Sequence, residues 1–532
     1  MGDVRVAQGS PAPKPNGVGR RRPRAPHSLV RVGVAVGLLL AVLAGCVVVV
    51  VIVGNHPTPT RSSGQNVLVI MTDDETYSEL QYMPQVKSLL VEQGTSFDNY
   101  YTTSPNCCPS RAAYYSGQLP HNDGVIDNIP PLGGAQKFAS HLDETVATWM
   151  QSAGYYTASI GKFLNGWGNP DKPDDWTEGI AAPSGWNHWF GLIDPTTYSY
   201  YDYDVSVDGQ RHHYGDKPAD YQTDVLGKDV FDTIAHGAQS GKPWYVSWTP
   251  LAPHTGQSES QTPSRSPNSL YPVPPPDHIG QFANEPLYTA PSQIWGAAAA
   301  QSADVQGKPA YVRDRVATTP IEQVNQQKSW QAELATIQGV DDWVGRIYKE
   351  LQDLGELDQT TIVFTSDNGI FHGEHGLRQK GLLYEEAIHV PLVIRGPGFP
   401  SGTTAHQMAE VIDLAPTILA IGHARTTQAL DGIDLKPLAS DPTAAADRAL
   451  LMETAYSYAK LSTTELRLAG WAYMHWSDGS TELYEMGLDP YQMKNLSGVP
   501  AYAVIQADLE KRLTKLSTCV GHGCQMYVGQ IP

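Results

Sequence analysis

Cys107-Cys108-Pro109-Ser110-Arg111 gathers two thiols, a helix-starting proline, a hydroxyl and a guanidinium into five residues. Pro109 suits the first turn of a helix running through Ala112, Ala113, Tyr114 and Tyr115 to Gly117. Residue 107 then stands at a helix N-terminus, where unpaired backbone N–H groups favour an anion. Arg111, one turn on, can clamp or orient an anionic group. Adjacent cysteines also fit a structural pair or metal ligands, and the motif alone leaves those readings open. Further polar clusters occur at Asp73-Asp74, Lys162, His254 and Asp367-Asn368-Gly369. Asp73, Asp74, Asp367 and Asn368 offer only oxygen, a donor set that suits a hard divalent cation, Ca²⁺ or Mg²⁺. Taken singly, Asp73-Asp74 reads equally as a helix cap or turn, and Asp-Asn-Gly as a tight turn.

Such clusters act together only if a scaffold brings them to one place. Val67-Leu-Val-Ile-Met71, running to Thr72, is continuously apolar, as a strand covered on both faces must be. Apolar strands recur at about 155–160, 244–248, 361–365 and 390–395. Helices are expected at about 84–93, stopped by Gly94, and at 143–153, with Asp143 as N-cap and Gly154 past the end. A third runs from about 322 to 354, where Leu334, Ile337, Val344, Ile347 and Leu351 recur at helical spacings. Strands alternating with helices predict an α/β fold with a large, mostly parallel sheet flanked by helices. Asp73-Asp74, Lys162, His254 and Asp367 each follow one of these strands. Ligands of open α/β sheets bind at the carboxyl ends of strands, so four distant segments are expected on one rim.

The main α/β domain is placed at 66–440, with an irregular Pro/Ser/Gln-rich insertion at 255–320 that reads as a site-covering loop. Residues 441–532 are expected to form a small antiparallel C-terminal subdomain, with hairpin strands around Asp478-Gly479. Among 532 residues, 41% are hydrophobic and 17% charged, which excludes disorder of the whole chain. The net charge of -19 argues against nucleic acid as a partner. A basic tail at 1–31 precedes 22 uncharged residues, Val32–Val53, enough helix to cross roughly 30 Å of hydrocarbon. With 54–65 as a linker, the expectation is a single-pass cell-membrane protein, N-terminus inside and the remainder outside. The alternatives are a cleaved signal peptide with secretion, or a lipoprotein processed at Leu43-Ala44-Gly45-Cys46. Export permits a disulfide between Cys519 and Cys524, and one is expected.

Cys107-x-Pro109-Ser110-Arg111 followed by Ala112-Ala113-x-x-Ser116-Gly117 resembles the signature of type I sulfatases, whose first cysteine is oxidised to formylglycine. Other family landmarks stand in order: Asn66–Asp74, Ile160-Gly161-Lys162, Ala252-Pro253-His254, Ser366–Leu377, then Lys380 and Tyr384-Glu385-Glu386. Leu483-Tyr484 and Asp489–Leu496 resemble the C-terminal subdomain. The resemblance covers about residues 66–500 and implies the alkaline-phosphatase fold. It implies a formylglycine made from Cys107 by a formylglycine-generating enzyme. It implies Ca²⁺, or Mg²⁺, on Asp73, Asp74, residue 107, Asp367 and Asn368. It implies hydrolysis of sulfate monoesters of carbohydrates or small aryl compounds. Arg111, Lys162, His254 and Lys380 would be catalytic, holding sulfate oxygens or protonating the leaving group. One departure is Leu164, where many sulfatases have a histidine, followed by Asn165; members resembling N-acetylglucosamine-6-sulfatases share this form. Asn165, His372 and His375 are the expected substrate-side or supporting residues. The rivals are a phosphonate or phosphodiester hydrolase of the same superfamily and a non-catalytic glycan-binding surface protein.

Overall fold

Val67, Val69 and Met71 turn to one face of strand β1 (Asn66–Thr72), Leu68 and Ile70 to the other, and all five are buried. That explains the unbroken apolar run: side chains alternate, and here both faces carry core. The structure, a computed structural model, describes residues 64–169, 180–256, 271–316, 320–456 and 459–526. Residues 61–532 form one compact unit.

β1 is central in a ten-stranded sheet. Its members, in chain order, are β2 (Thr95–Phe97), β3 (Tyr156–Gly161), β4 (His188–Leu192), β5 (Tyr203–Val207), β6 (Gln210–Tyr214), β7 (Trp244–Thr249), β8 (Thr360–Ser366), β9 (Leu392–Arg395) and β10 (Thr403–Ala405). The spatial order is β10-β2-β9-β8-β1-β7-β3-β4-β5-β6. Neighbours from β8 through β4 run parallel, while β9 and β5 pair antiparallel at the flanks. Helices cover both faces. Leu226, Val230 and Ile234 of Gln222–Ser240 and Ile337, Val344, Ile347 and Leu351 of Pro320–Asp353 pack with Leu68 and Ile70. Ala112 and Ala113 of Cys107–Ser116, and Ile418 of Leu414–Gly422, pack with Val67 and Val69.

A second sheet has four antiparallel strands, β11 (Leu450–Tyr456), β12 (Leu461–Arg467), β13 (Trp471–Trp476) and β14 (Thr481–Glu485). Leu451, Leu466, Tyr473 and Leu483 join Leu509, Leu513 and Leu516 of the helix Ala503–Leu516. On the other face Met452, Met474 and Trp476 pack with Leu383, Tyr384 and Ile388. Cys519 and Cys524 are joined by a disulfide.

Several local expectations differ. The 84–93 helix is a short π-helix, Val86–Val91, following a 3₁₀ turn at Tyr77–Tyr82. The 143–153 helix begins at Val146, capped by Thr145, whose hydroxyl accepts from Thr148 N; Asp143 instead takes the hydroxyl of Ser184. Within 255–320 the described residues include short helices at Ala297–Gln301, Ala303–Gln306 and Ala310–Arg313. The expected tail and membrane segment, and the linker up to residue 63, lie outside the described residues. Among the described residues no helix is long and apolar enough to cross a membrane.

Asp413 ties together the chain around Glu410, Ile433 and Arg448. Its carboxylate takes Arg448 at 2.8 Å and 2.5 Å and accepts from Glu410 N at 2.7 Å and Ile433 N at 2.8 Å, all with no exposure of its own. Removing the carboxylate takes away the acceptor of two guanidinium nitrogens of the buried Arg448. Asp413→Ala should therefore cost about 3–5 kcal/mol in denaturant unfolding.

Candidate active site

The β1–β8 ladder continues past the strand ends. Asp367 N donates to Thr72 O at 3.1 Å, and Asp74 N donates to the Asp367 Oδ1 at 3.3 Å. Asp74 has φ +72°, a left-handed turn that aspartate tolerates better than most residues. It swings the chain off the strand directly over the rim. Asp73 N donates to Ala252 O at 3.2 Å, which draws the segment after β7, and with it His254, to the same place. Lys162 follows β3 by one residue. The four strand-end clusters thus meet.

Residue 107 begins the buried helix Cys107–Ser116. Asn106 precedes it in extended conformation, and its amide reaches Thr454 at 3.1 Å on β11 rather than capping the helix. Cys107 Sγ lies 3.5 Å from Asp73 Oδ1 and accepts from Lys380 Nζ at 2.8 Å. Lys380 Nζ also donates to Asn368 Oδ1 at 3.3 Å and to Asp74 Oδ1. Asn368 Nδ2 donates to the same Asp74 oxygen at 2.6 Å. Lys162 Nζ meets Asp73 Oδ2 at 2.5 Å. Arg111, fully buried, donates from Nε to Asp367 at 2.7 Å and from Nη1 to the Lys162 carbonyl at 2.8 Å; its Nη2 lies 3.3 Å from Asp73. His254 Nε2 lies 3.6 Å from Asp74, while Nδ1 faces the Thr255 carbonyl at 2.6 Å. A carbonyl only accepts, so Nδ1 carries hydrogen and Nε2 is turned to the cluster.

Three carboxylates (Asp73, Asp74, Asp367) balance three cations (Arg111, Lys162, Lys380). Burial opposes ionisation of Asp73, but Lys162, His254, Arg111 and Lys380 outweigh it and hold the acid well below its ordinary range. Burial likewise opposes the charges of Lys162 and Lys380, and Asp73 and Asp74 respectively lead in raising both above the ordinary lysine value. Burial pushes the Cys107 thiol up to about 12 despite both lysines, so it is protonated at neutral pH. Ligand atoms of Asp73, Asp74, Cys107 and His254 lie within 4.8 Å of one another. With Asp367 and the Asn368 amide beside them, the oxygen donors fit a hard cation. A bound dication would leave the cluster net positive by two, as an anionic substrate requires.

Asn165 Nδ2 donates to the Tyr198 hydroxyl at 2.7 Å. Tyr198 itself is absent from the sequence reading. Its ring lies 5.1 Å from that of His254, tilted by 41°, and has Lys162 Nζ 5.0 Å from its centroid. It arrives on a 3₁₀ turn, Thr196–Tyr198, after β4, and no motif spacing marks it.

His372 and His375 are tied to acids on other elements. His372 Nε2 meets Glu333 at 2.6 Å, and His375 Nδ1 meets Asp304 at 2.9 Å, all buried. Burial opposes charge on His372, but Glu333 outweighs it and pushes the imidazole up to about 9. A raised pKa contributes stability that is full below the ordinary 6.5 and lost as pH rises through about 9. The denaturant midpoint should therefore fall between pH 7 and about 9 in the wild type, and fall less in His372→Gln.

The family model described as Sulfatase matches residues 65–424, and that described as N-sulphoglucosamine sulphohydrolase, C-terminal, matches 373–519. The human N-acetylglucosamine-6-sulfatase is 31% identical over 436 residues, covering 79% of this chain and 71% of that protein. The extracellular sulfatase SULF-1 homolog of Drosophila melanogaster is 32% identical over 384 residues, 71% of this chain but 31% of that longer protein. A solved structure in complex with its substrate D-glucosamine-2-N,6-O-disulfate superposes with a TM-score of 0.69 at 24% identity, covering 86% of this chain and 98% of that one. The expected single-pass placement is corrected here: the Drosophila relative is described as extracellular, which fits the alternative of secretion better.

Proposed function

The chain belongs to the sulfatase family, the enzymes that hydrolyse sulfate esters, and from that premise we propose that it works through a formylglycine at residue 107 beside a Ca²⁺ or Mg²⁺ ion. The observation that carries this is the placement of Cys107: a protonated thiol, buried at a helix start, between Lys380 and Asp73. A thiol held at about 12 is a poor nucleophile, whereas an oxidised residue there would face the same partners.

When present, the cation supplies Lewis-acid stabilisation of developing negative charge, and formylglycine supplies two hydroxyls on one carbon. Asp73, Asp74, Asp367 and Asn368 would hold the cation. Lys162, Lys380 and Arg111 keep their charges through the neutral range and offset the sulfate oxygens as charge builds. Lys380 and His254 stand where a leaving alkoxide needs a proton, with Nε2 of His254 facing the cluster. Asp367, beside Arg111, is the expected partner for the nucleophile's proton. Asn165 orients Tyr198 and cannot itself serve as a base. The reading extends to a sulfated sugar or small aryl sulfate as substrate, and to a formylglycine-generating enzyme during maturation. The disulfide and the extracellular relative support an exported enzyme.

Two measurements test it. Peptide mass analysis should show residue 107 as formylglycine, and 4-nitrophenyl sulfate should be turned over with activity lost to a chelator and restored by Ca²⁺ or Mg²⁺. An unmodified thiol in fully active protein, or turnover confined to phosphonate esters, would overturn the reading.

A further inference from the structure

A cavity of about 410 Å³ opens beside Lys380, the residue whose Nζ donates to Cys107 Sγ at 2.8 Å. Its walls include the first turns of the helix Pro320–Asp353 and the hairpin strand Arg378–Gln379. With Lys380 already paired to Asp74, the rest of the charged lining is Arg315 and Arg378 against Glu322, a positive concavity in a chain of net charge -19. A low-dielectric cleft of one sign concentrates ligands of the other, whatever the charge of the whole molecule.

Its polar wall suits a sugar better than a flat aryl ring. Asn325 and Gln326 line it with amides, beside Ser329, whose hydroxyl donates to Glu333 at 2.6 Å, and the apolar Ile370 and Leu377. Glu322 Oε1 lies 2.9 Å from Arg378 Nη2 and so engages one nitrogen of a group with five N–H donors. Arg378 remains 46% exposed at its side chain while lining the cavity. Arg315 is steadied by its stack over Tyr311, 3.3 Å from the ring centroid.

We propose that this cavity seats the alcohol half of the substrate, and that Arg378 recognises a second oxyanion on it, a carboxylate or a further sulfate. The assignment rests on the sulfate-ester reading, because that places the scissile sulfate at residue 107 and Lys380. Arg378 and Lys380 line the same cavity from either side of Gln379, whose φ of +61° turns the chain between them. Both cations line the one cavity, so the second anion belongs to the same sugar or the one attached to it. Arg378 is a specificity residue in this proposal, remote from the reacting atoms.

The test compares four esters with wild type, Arg378→Ala and Glu322→Gln. They are 4-nitrophenyl sulfate, N-acetylglucosamine 6-sulfate, N-sulfoglucosamine 6-sulfate, and a 6-sulfated disaccharide bearing a uronate. Wild type should favour at least one doubly anionic sugar over N-acetylglucosamine 6-sulfate by about tenfold in kcat/KM. Which of the two is favoured identifies the anion. Arg378→Ala should erase that preference through KM, and Glu322→Gln should keep or strengthen it. No preference in wild type, or equal losses on all four esters in Arg378→Ala, would overturn the assignment. Calorimetric binding of the desulfated anionic sugars separates it from the hydrolase reading. If no ester is turned over but Arg378→Ala still weakens this binding about tenfold, the anion site stands and the hydrolase reading falls.

Discussion

Cys107→Ser should abolish multiple turnover of 4-nitrophenyl sulfate, a loss on the order of 10⁴-fold or more, while leaving the chain folded. The substitution is nearly isosteric in a buried position, so packing changes little. A serine hydroxyl would still meet Lys380 and Asp73, and the strand-end cluster would still surround it. It can take the sulfuryl group from an activated aryl ester, releasing the phenol once. What it lacks is a second hydroxyl on the same carbon. A formylglycine hydrate would supply that hydroxyl, and with it a route for sulfate to leave as the carbonyl is regenerated. With serine the sulfate ester stays. Intact-mass measurement after exposure to substrate should therefore find one retained SO₃ on the serine variant and none on wild type or on Cys107→Ala. Steady turnover by the serine variant at the wild-type rate would sink the two-hydroxyl mechanism.

The parts of this site that can be read from sequence follow strands buried on both faces. Val67–Met71, Trp244–Trp248 and Thr361–Thr365 announce themselves by unbroken apolar character, and the polar residues just after them are then conspicuous. Strands that close the sheet's far edge are hidden. Gln210–Tyr214 is mostly exposed, reads Gln-Arg-His-His-Tyr, and pairs only with β5, so neither run nor alternation identifies it. Thr145 and Asp143 are both acceptable caps, and packing of Val146 and Ala147 into the core decides between them. Tyr198 is invisible for a different reason: its position depends on where β4 ends and on Asn165, neither of which a spacing encodes. His372 and His375 lie close in sequence to Asp367, and chain proximity suggested a place near the site. Their partners, Glu333 and Asp304, stand 39 and 71 residues away, and only the fold assigns them.

Asp73 is the residue on which the most charges converge, and Asp73→Asn should be nearly as damaging as loss of residue 107. One carboxylate oxygen serves Lys162 at 2.5 Å and Arg111 at 3.3 Å, and the other faces Cys107. The amide keeps the volume and removes the negative charge, leaving Lys162, 1% exposed, facing a neutral group. Breaking a buried pair in this way costs about 3–5 kcal/mol. A cation ligand is lost as well, so kcat/KM should fall on the order of 10³-fold. The metal supplies a readout independent of turnover. A ligand that binds only the folded state stabilises by about 2.7 kcal/mol at a hundred times its Kd. Ca²⁺ or Mg²⁺ should therefore raise the wild-type unfolding midpoint and leave that of Asp73→Asn almost unmoved. The pH dependence has a definite sign. The folded-state pKa of Asp73 is depressed, so its stabilisation is present above the ordinary 3.8 and disappears as pH falls through the lower folded value. Measured without metal, the stability gap between wild type and Asp73→Asn should hold steady from neutral pH down to about 4 and close only in stronger acid. A gap that closed already between pH 7 and about 5 would show that another group, not this carboxylate, holds Lys162 and Arg111 in place.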